Sequence, residues 1–129
     1  MAAFRRMLGS KIHRATITQA DLDYEGSLTI PPSLLALAEI AESEAVQVWN
    51  VTRGTRFETY AIRGEEGGWD ICANGAAAHL AKPGDIVIVA AFVLVAEADV
   101  AHHQPTVVFV DEHNHPLARR PEVPGPRRA

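Results

Sequence analysis

The chain has little cysteine and no excess of basic residues, and each shortage excludes a class of protein. Its single cysteine, Cys72, cannot close an internal disulfide, so a disulfide-stapled scaffold is excluded. Twelve Lys and Arg residues against sixteen Asp and Glu leave a net charge of -4. This balance argues against a nucleic-acid partner, because neutralising phosphates requires a basic face.

Long hydrophobic runs are also missing. The longest, residues 86–98, is interrupted by Glu97, whereas a helix that spans a bilayer needs about 20 apolar residues. No charged-then-apolar leader with a small-residue cleavage site opens the chain. Together with the lone cysteine, these shortages lead us to expect a cytoplasmic protein without a membrane span.

What is present is the composition of one folded domain. The chain has 129 residues, of which 47% are hydrophobic and 22% charged, and a chain of this length buries about two thirds of its unfolded surface. From residue 116 onward, four prolines alternate with four arginines against the single acid Glu122. We therefore expect a domain over residues 1–115 and a disordered Pro/Arg-rich tail over residues 116–129.

Short alternating or β-branched runs predict a mainly β fold. Residues 46–51 and 57–62 predict a hairpin whose loop contains Gly54. Two prolines at 31–32 predict the start of a short helix over 33–40, and 18–23 predict a turn or a short helical connection. Further strands are predicted at 7–17, 27–30, 69–73, 86–95 and 106–111. Many short strands with brief helices suggest a closed or nearly closed β-barrel.

The pair Gly26-Ser27 is the most suggestive chemical element, because a glycine that permits unusual backbone angles precedes a hydroxyl nucleophile. Most such pairs are only turns. The chemical alternative is that the Ser27 hydroxyl attacks the Gly26 carbonyl in an N-to-O acyl shift. The resulting ester can eliminate, and the dehydroalanine that remains hydrolyses to a pyruvoyl group at a new chain start.

This reaction needs a hydrogen-bond donor for the carbonyl oxygen on which negative charge develops, and Thr59 is a candidate. Beside it, Arg56 suits a carboxylate and Tyr60 can donate a proton. An ordinary strand with one polar and one apolar face explains the same residues. Strand alternation places Arg56, Glu58 and Tyr60 on one side and Phe57 with Thr59 on the other, so Thr59 and Tyr60 should not face the same pocket.

Other candidates are open to two interpretations. Lys11 and His13 share a strand face, where such residues are usually only solvated. The small residues at 74–78 would let the backbone approach a ligand closely, or they pack a helix against a sheet. Imidazoles invite a metal hypothesis, but their spacing fits no zinc pattern. We expect structural or exposed side chains and no metal site at His102, His103, His113 and His115.

In their order along the chain, several motifs closely resemble the pyruvoyl-dependent aspartate 1-decarboxylases over about residues 4–115. The segments that carry the resemblance are Lys11-Ile12-His13-Arg14-Ala15, Tyr24-Glu25-Gly26-Ser27, Trp49-Asn50-Val51, Arg56-Phe57, Thr59-Tyr60-Ala61-Ile62, Asn74-Gly75-Ala76-Ala77-Ala78-His79 and Gly84-Asp85-Ile86-Val87. The chain departs from the family pattern at Arg6, at Pro31-Pro32 and in the tail, none of which belongs to the chemistry.

The resemblance implies a six-stranded double-psi β-barrel with short capping helices, assembled as a homotetramer whose active sites lie between subunits. It implies cleavage between Gly26 and Ser27, with or without a maturation helper protein. The cofactor would be a covalent pyruvoyl group derived from Ser27, with no metal and no pyridoxal phosphate. The reaction would convert L-aspartate to β-alanine and CO2 for pantothenate and hence coenzyme A biosynthesis.

By the same resemblance, the pyruvoyl group from Ser27 forms a Schiff base with substrate and Tyr60 donates the proton. Lys11 and Arg56 receive substrate carboxylates, and Thr59 assists processing and contacts substrate. The pocket lining and the supporting positions are Gly75, Ala76, Ala77, His13, Tyr24 and Asn74. Two alternatives stay open, a non-catalytic β-barrel interaction module and a pyruvoyl-dependent decarboxylase of another small amino acid.

Overall fold

One continuous sheet organises the computed structural model, which describes residues 2–126. Within that range it contains nine strands, one α-helix (α1, Pro32–Ala38) and two 3₁₀ helices, Gly75–His79 and Glu97–His102. The strands are β1 Phe4–Thr16, β2 Gln19–Asp21, β3 Ser27–Ile30, β4 Ala45–Asn50, β5 Arg56–Arg63, β6 Cys72–Asn74, β7 Ile86–Ala96, β8 Thr106–Val110 and β9 Pro116–Arg119.

The strands follow the order β2-β6-β3-β5-β4-β7-β1-β8-β9 across the sheet. Three neighbouring pairs are parallel, β1 with β8, β2 with β6 and β3 with β5, and the others are antiparallel. The prediction of a mainly β fold with short helices is confirmed, and the single sheet is consistent with a small β-barrel. Parallel neighbours far apart in sequence mean that most of the fold rests on long-range pairing.

The long strand β1 lies inside the sheet, with β7 on one side and β8 on the other. Its inward positions Ile12 and Ala15 are fully buried against Val89 and Val108. Between them Arg14 has a φ of 64°, where the register with β7 shifts. Because burying a large aliphatic side chain contributes about 1.5–3 kcal/mol, this central strand anchors the core.

The predicted helix and hairpin are confirmed, the hairpin as β4 and β5 and the helix as α1. The helix begins at Pro32, where a missing N–H does no harm, and it ends before Glu39, which has a left-handed φ of 58°. The segment 18–23, predicted as a turn or helical connection, instead contributes β2, which pairs in parallel with β6.

The prediction of a disordered tail from residue 116 is wrong for its first four residues. Pro116–Arg119 form β9, which pairs antiparallel with β8. Without β9 the outer edge of β8 would be unpaired, and proline is tolerated on an edge strand. Residues 120–126 form no strand or helix, and 127–129 lie outside the described residues. Over the described range, no helix is long and apolar enough to cross a membrane.

A buried carboxylate ties the β4–β5 loop to the start of β7. Asp85 is only 3% exposed and accepts hydrogen bonds from Asn50 Nδ2 (2.9 Å), Arg53 Nε (2.6 Å) and the Lys82 backbone N–H (2.9 Å). Burial raises the pKa of Asp85, but these three donors outweigh it and hold the pKa below its ordinary value. The ionised form therefore stabilises the fold.

We expect Asp85→Asn to lower the free energy of unfolding at pH 7 by about 2–3 kcal/mol, because buried donors lose a charged acceptor. The lowered pKa means that this contribution is present above the ordinary carboxyl pKa and is lost as pH falls through the folded-state value. Urea unfolding at pH 7 and pH 3 measures both effects, with exposed Asp99→Asn as control. If Asp85→Asn lowers the free energy of unfolding as much at pH 3 as at pH 7, the charge of Asp85 is not the cause of the stabilisation.

Candidate active site

Four polar side chains share one face where β3 pairs with β6. The antiparallel register places Ser27 opposite Asn74 and Thr29 opposite Cys72. Directly opposed residues point to the same side of a sheet, and so do residues two apart on one strand. The other face, which includes Leu28, is fully buried in the core. The sheet therefore fixes the four polar side chains as one group.

Hydrogen bonds join these four side chains. Asn74 Nδ2 donates to Ser27 Oγ at 3.0 Å and to Thr29 Oγ1 at 2.9 Å. The Cys72 thiol donates to Asn74 Oδ1, with 3.0 Å between Sγ and Oδ1. Ser27 is 1% exposed and Asn74 5%. The Ser27 hydroxyl is thus removed from water and held by a single amide.

The backbone beside Ser27 is in close contact with Gly75. Gly75 has a φ of 62°, and a Cβ there would lie 2.7 Å from Gly26 Cα and 2.9 Å from Gly26 N. Only glycine satisfies both the conformation and the space. Glycine permits unusual backbone angles at Gly26, but its φ lies outside the left-handed region. The special conformation belongs to the residue that packs on Gly26.

A small cavity of about 190 Å³ opens at the same place. Gly26, Thr59, Ala76 and Ala77 line it, together with Phe57, Glu58 and Leu80. The structure therefore brings together the glycine of the candidate cleavage bond, the candidate donor Thr59 and two of the three predicted lining residues. A space of this size suits a small metabolite, because drug-sized ligands need about 300 Å³ or more.

Strand β5 keeps the predicted alternation. Arg56, Glu58 and Tyr60 are exposed, whereas Phe57 and Thr59 are half-buried. Tyr60 is 40% exposed and does not line the 190 Å³ cavity. Within one chain, Thr59 and Tyr60 therefore serve opposite sides of the strand.

Three predicted site residues lie elsewhere in the single chain. Arg56 stacks on Trp49, with its guanidinium carbon 5.1 Å from the ring centroid. Lys11 and His13 lie on β1, and Lys11 Nζ contacts Glu122 Oε2 at 2.9 Å. None of the three lines the cavity beside Gly26. Tyr24, which is strongly exposed, does not line this cavity either.

His13 is held in its neutral form. Burial lowers its pKa, and the positive charges of Lys11 and Arg14 lower it further, against a smaller opposing effect of Glu122. Its ring meets Phe109 edge-on at 5.3 Å, and its buried Nδ1 has no hydrogen-bond partner among the described residues. The imidazole can therefore accept or share a proton but adds no charge at neutral pH.

Two of the remaining histidines, His103 and His115, contact neighbours in the fold. His103 Nε2 lies 2.6 Å from the Leu8 carbonyl oxygen, and the His115 ring meets Trp69 edge-on at 4.5 Å. Over residues 2–126, no three His, Cys, Asp or Glu side chains come together in a way that would hold a metal ion.

Sequence reasoning missed Thr29 and Cys72 as members of the site. Each lies two residues from a candidate, Thr29 after Ser27 and Cys72 before Asn74. Period-two spacing on both strands was a usable signal. What the sequence did not provide was the register that sets the two strands opposite each other.

Comparison with known proteins gives a consistent result. A profile of the family described as aspartate decarboxylase matches residues 3–117. A Legionella pneumophila (strain Paris) protein named aspartate 1-decarboxylase is 65% identical over 120 residues, covering 93% of this chain and 90% of its own. A Myxococcus xanthus protein of that name is 61% identical, covering 96% of both chains. One from Rhodopirellula baltica is 58% identical, covering 95% of this chain and 79% of its own.

Gly75→Ala should destabilise the protein by clearly more than Gly54→Ala. Both glycines have positive φ, 62° and 76°, but an added Cβ meets nothing within 4 Å at Gly54 and meets Gly26 backbone at Gly75. The shared conformational cost is about 1–2 kcal/mol, and the clash adds to it only at Gly75. Denaturant unfolding of the two variants measures the difference. Equal losses would mean that the contact with Gly26 is not tight.

Proposed function

The chain belongs to the aspartate decarboxylase family, and from that premise we propose that it converts L-aspartate to β-alanine and CO2 with a pyruvoyl group made from its own Ser27. The observation that carries the proposal is the buried Ser27 hydroxyl, held by Asn74 at 3.0 Å directly after Gly26. We place the reaction in the cytoplasm, where β-alanine serves pantothenate biosynthesis.

The surroundings of the Gly26–Ser27 bond support self-processing. The Ser27 oxygen attacks the Gly26 carbonyl carbon, an ester replaces the amide, and the released nitrogen takes up a proton. Elimination then transfers the Cα proton of Ser27 to a base as the Cβ–O bond breaks, and it leaves the Gly26 carboxylate and a dehydroalanine, which water converts to a ketone with loss of ammonia. Thr59, on the cavity that Gly26 lines, supplies a hydroxyl donor for the carbonyl oxygen, and one such donor is worth about 3 kcal/mol.

Burial favours this processing step. The hydroxyl of Ser27 is desolvated and already accepts one hydrogen bond, so less solvent has to be reorganised when negative charge develops. The close packing of Gly75 on Gly26 restricts the backbone on the other side of the bond. The group formed from Ser27 supplies an electron sink for the carbanion that the loss of CO2 leaves.

In the decarboxylation itself, this chain binds the substrate and moves one proton. We assign carboxylate binding to Arg56 and Lys11, because guanidinium and ammonium groups form strong hydrogen bonds with carboxylates. Lys11 already holds a carboxylate, that of Glu122, at 2.9 Å. The phenol of Tyr60, 40% exposed, donates the proton. Binding one substrate carboxylate leaves the other in a less neutralised environment, from which it departs as CO2.

A site between subunits reconciles these assignments with the single chain. Arg56 and Tyr60 are exposed on the face of β5 opposite Thr59, so each can complete the cavity of a neighbouring copy. We therefore propose a homotetramer with shared active sites. A maturation helper is compatible with the processing step but is not needed for its chemistry. The two competing functions, an uncleaved interaction module and a decarboxylase of another amino acid, are separated by the experiments that follow.

Intact-mass analysis tests the processing. We expect the purified protein to consist of residues 1–26 and of a fragment from position 27 that reacts with hydrazine-type carbonyl reagents. Ser27→Ala should remain one chain without aspartate decarboxylation, because no hydroxyl remains to attack. Ser33→Ala, at an exposed position in α1, should cleave normally. An uncleaved wild-type chain would favour the interaction module, and activity in Ser27→Ala would exclude the mechanism.

Arg56→Ala tests the substrate assignment. We expect kcat/KM for L-aspartate to fall about 100-fold, since losing a charged partner of a carboxylate removes about 3 kcal/mol. The free energy of unfolding should change by less than about 1 kcal/mol, because the side chain is exposed. Arg63→Ala, exposed at the other end of β5, is the matched control. Equal effects of the two changes, or a cleaved wild type with little turnover of aspartate, would argue for a different substrate.

A further inference from the structure

The orientation of the Asn74 carboxamide decides how it acts on Ser27. A carboxamide fits nearly the same space after a 180° flip, which exchanges its oxygen and nitrogen. With Nδ2 towards Ser27, the amide donates to Oγ and leaves the hydroxyl hydrogen free to transfer. With Oδ1 towards Ser27, the hydroxyl would have to donate to the amide, and its hydrogen would be tied up. Only the first orientation leaves the Ser27 hydrogen free to transfer as the oxygen attacks.

The Cys72 side chain contacts the other end of the carboxamide. A thiol is a weak donor and a weak acceptor, and in the structure its Sγ lies 3.0 Å from Asn74 Oδ1, an oxygen that can only accept, so the thiol donates. The hydroxyls of Ser27 and Thr29 can donate or accept and do not by themselves select an orientation. In the observed arrangement Cys72 donates to the amide oxygen, and both amide hydrogens go to Ser27 and Thr29.

The environment keeps Cys72 in the donating form. Burial raises the pKa of its thiol, and the carboxylates of Asp21 and Asp70 raise it further. The register of β3 and β6 holds the thiol in place, because Cys72 lies opposite Thr29 and two residues before Asn74 on the same face. Thr29 Oγ1 accepts the second N–H of the amide at 2.9 Å, which leaves no amide hydrogen unpaired.

We infer that Cys72 is a positioning residue, which fixes the Asn74 carboxamide with its nitrogen towards Ser27 and so prepares the Ser27 hydroxyl for attack on Gly26. The inference rests on the proposed self-processing. Cys72 does not line the cavity beside Gly26, and in this inference it acts through Asn74. In this role the Cys72 side chain is needed for the hydrogen that its thiol donates, and not for the space that it fills.

Two substitutions separate the hydrogen from the volume. Cys72→Val keeps an apolar side chain that suits a strand but removes the donor, whereas Cys72→Ser keeps a donor. In pulse-chase expression we expect Cys72→Val to be cleaved about 3- to 10-fold more slowly than wild type, the rate equivalent of one neutral hydrogen bond. Cys72→Ser should restore most of the rate. Equal cleavage rates for Cys72→Val and wild type would overturn the inference.

The amide orientation is also measured directly in chains that cannot be cleaved. In a full-length Ser27→Ala background, nuclear Overhauser effects between the Asn74 side-chain amide protons and the Thr29 methyl group report which end of the carboxamide faces β3. We expect these signals to weaken on Cys72→Val and to persist on Cys72→Ser. Unchanged signals in Cys72→Val would refute the positioning role. If wild type fails to cleave, the proposed function fails, but this measurement still tests the inference.

Discussion

The contact between Gly75 and Gly26 is the constraint on which the rest of the site depends. It exists because β3 and β6 pair antiparallel and the chain leaves β6 through a left-handed residue. A side chain at Gly75 would displace the backbone at Gly26. That displacement would move Ser27 away from Asn74 and open the cavity shared with Thr59. The absence of a side chain at Gly75 thus keeps the Gly26–Ser27 bond, the Ser27 hydroxyl and the candidate donor Thr59 in their relative positions.

Much of the fold could be predicted from local patterns. The hairpin of β4 and β5 was predictable because β-branched runs flank a glycine loop, and α1 because two prolines precede an apolar run. The pairing of β2 with β6 was not, since three residues carry no periodicity and their partners lie far along the chain. Strand β9 was missed because proline and arginine suggest disorder, whereas the open edge of β8 supplies a partner.

The candidate site was predictable in its residues but not in its geometry. Ser27, Thr59 and Asn74 were all named from the sequence; in the structure Asn74 donates to Ser27, and Thr59 lines the cavity that the preceding Gly26 also lines. No role in the site was predicted for Cys72 from the sequence, because a single thiol has no signature until its partner is known. The sequence indicated the conformational freedom of Gly26, but the residue with a positive φ is Gly75. The chemistry of a side chain can be predicted from the sequence of its own strand, whereas the register depends on how two strands pair.

The placement of β1 has a consequence for a chain broken after Gly26. The amino-terminal piece would contribute Phe4–Thr16, an interior strand bonded to β7 and β8, and β2, which is bonded to β6. Such a piece cannot diffuse away while the sheet persists, so size measurements on the native protein would not reveal the break. Once denatured, however, the two pieces would have to find each other again. Refolding of the two pieces would then depend on protein concentration. Folding of one uncut precursor subunit is intramolecular and does not.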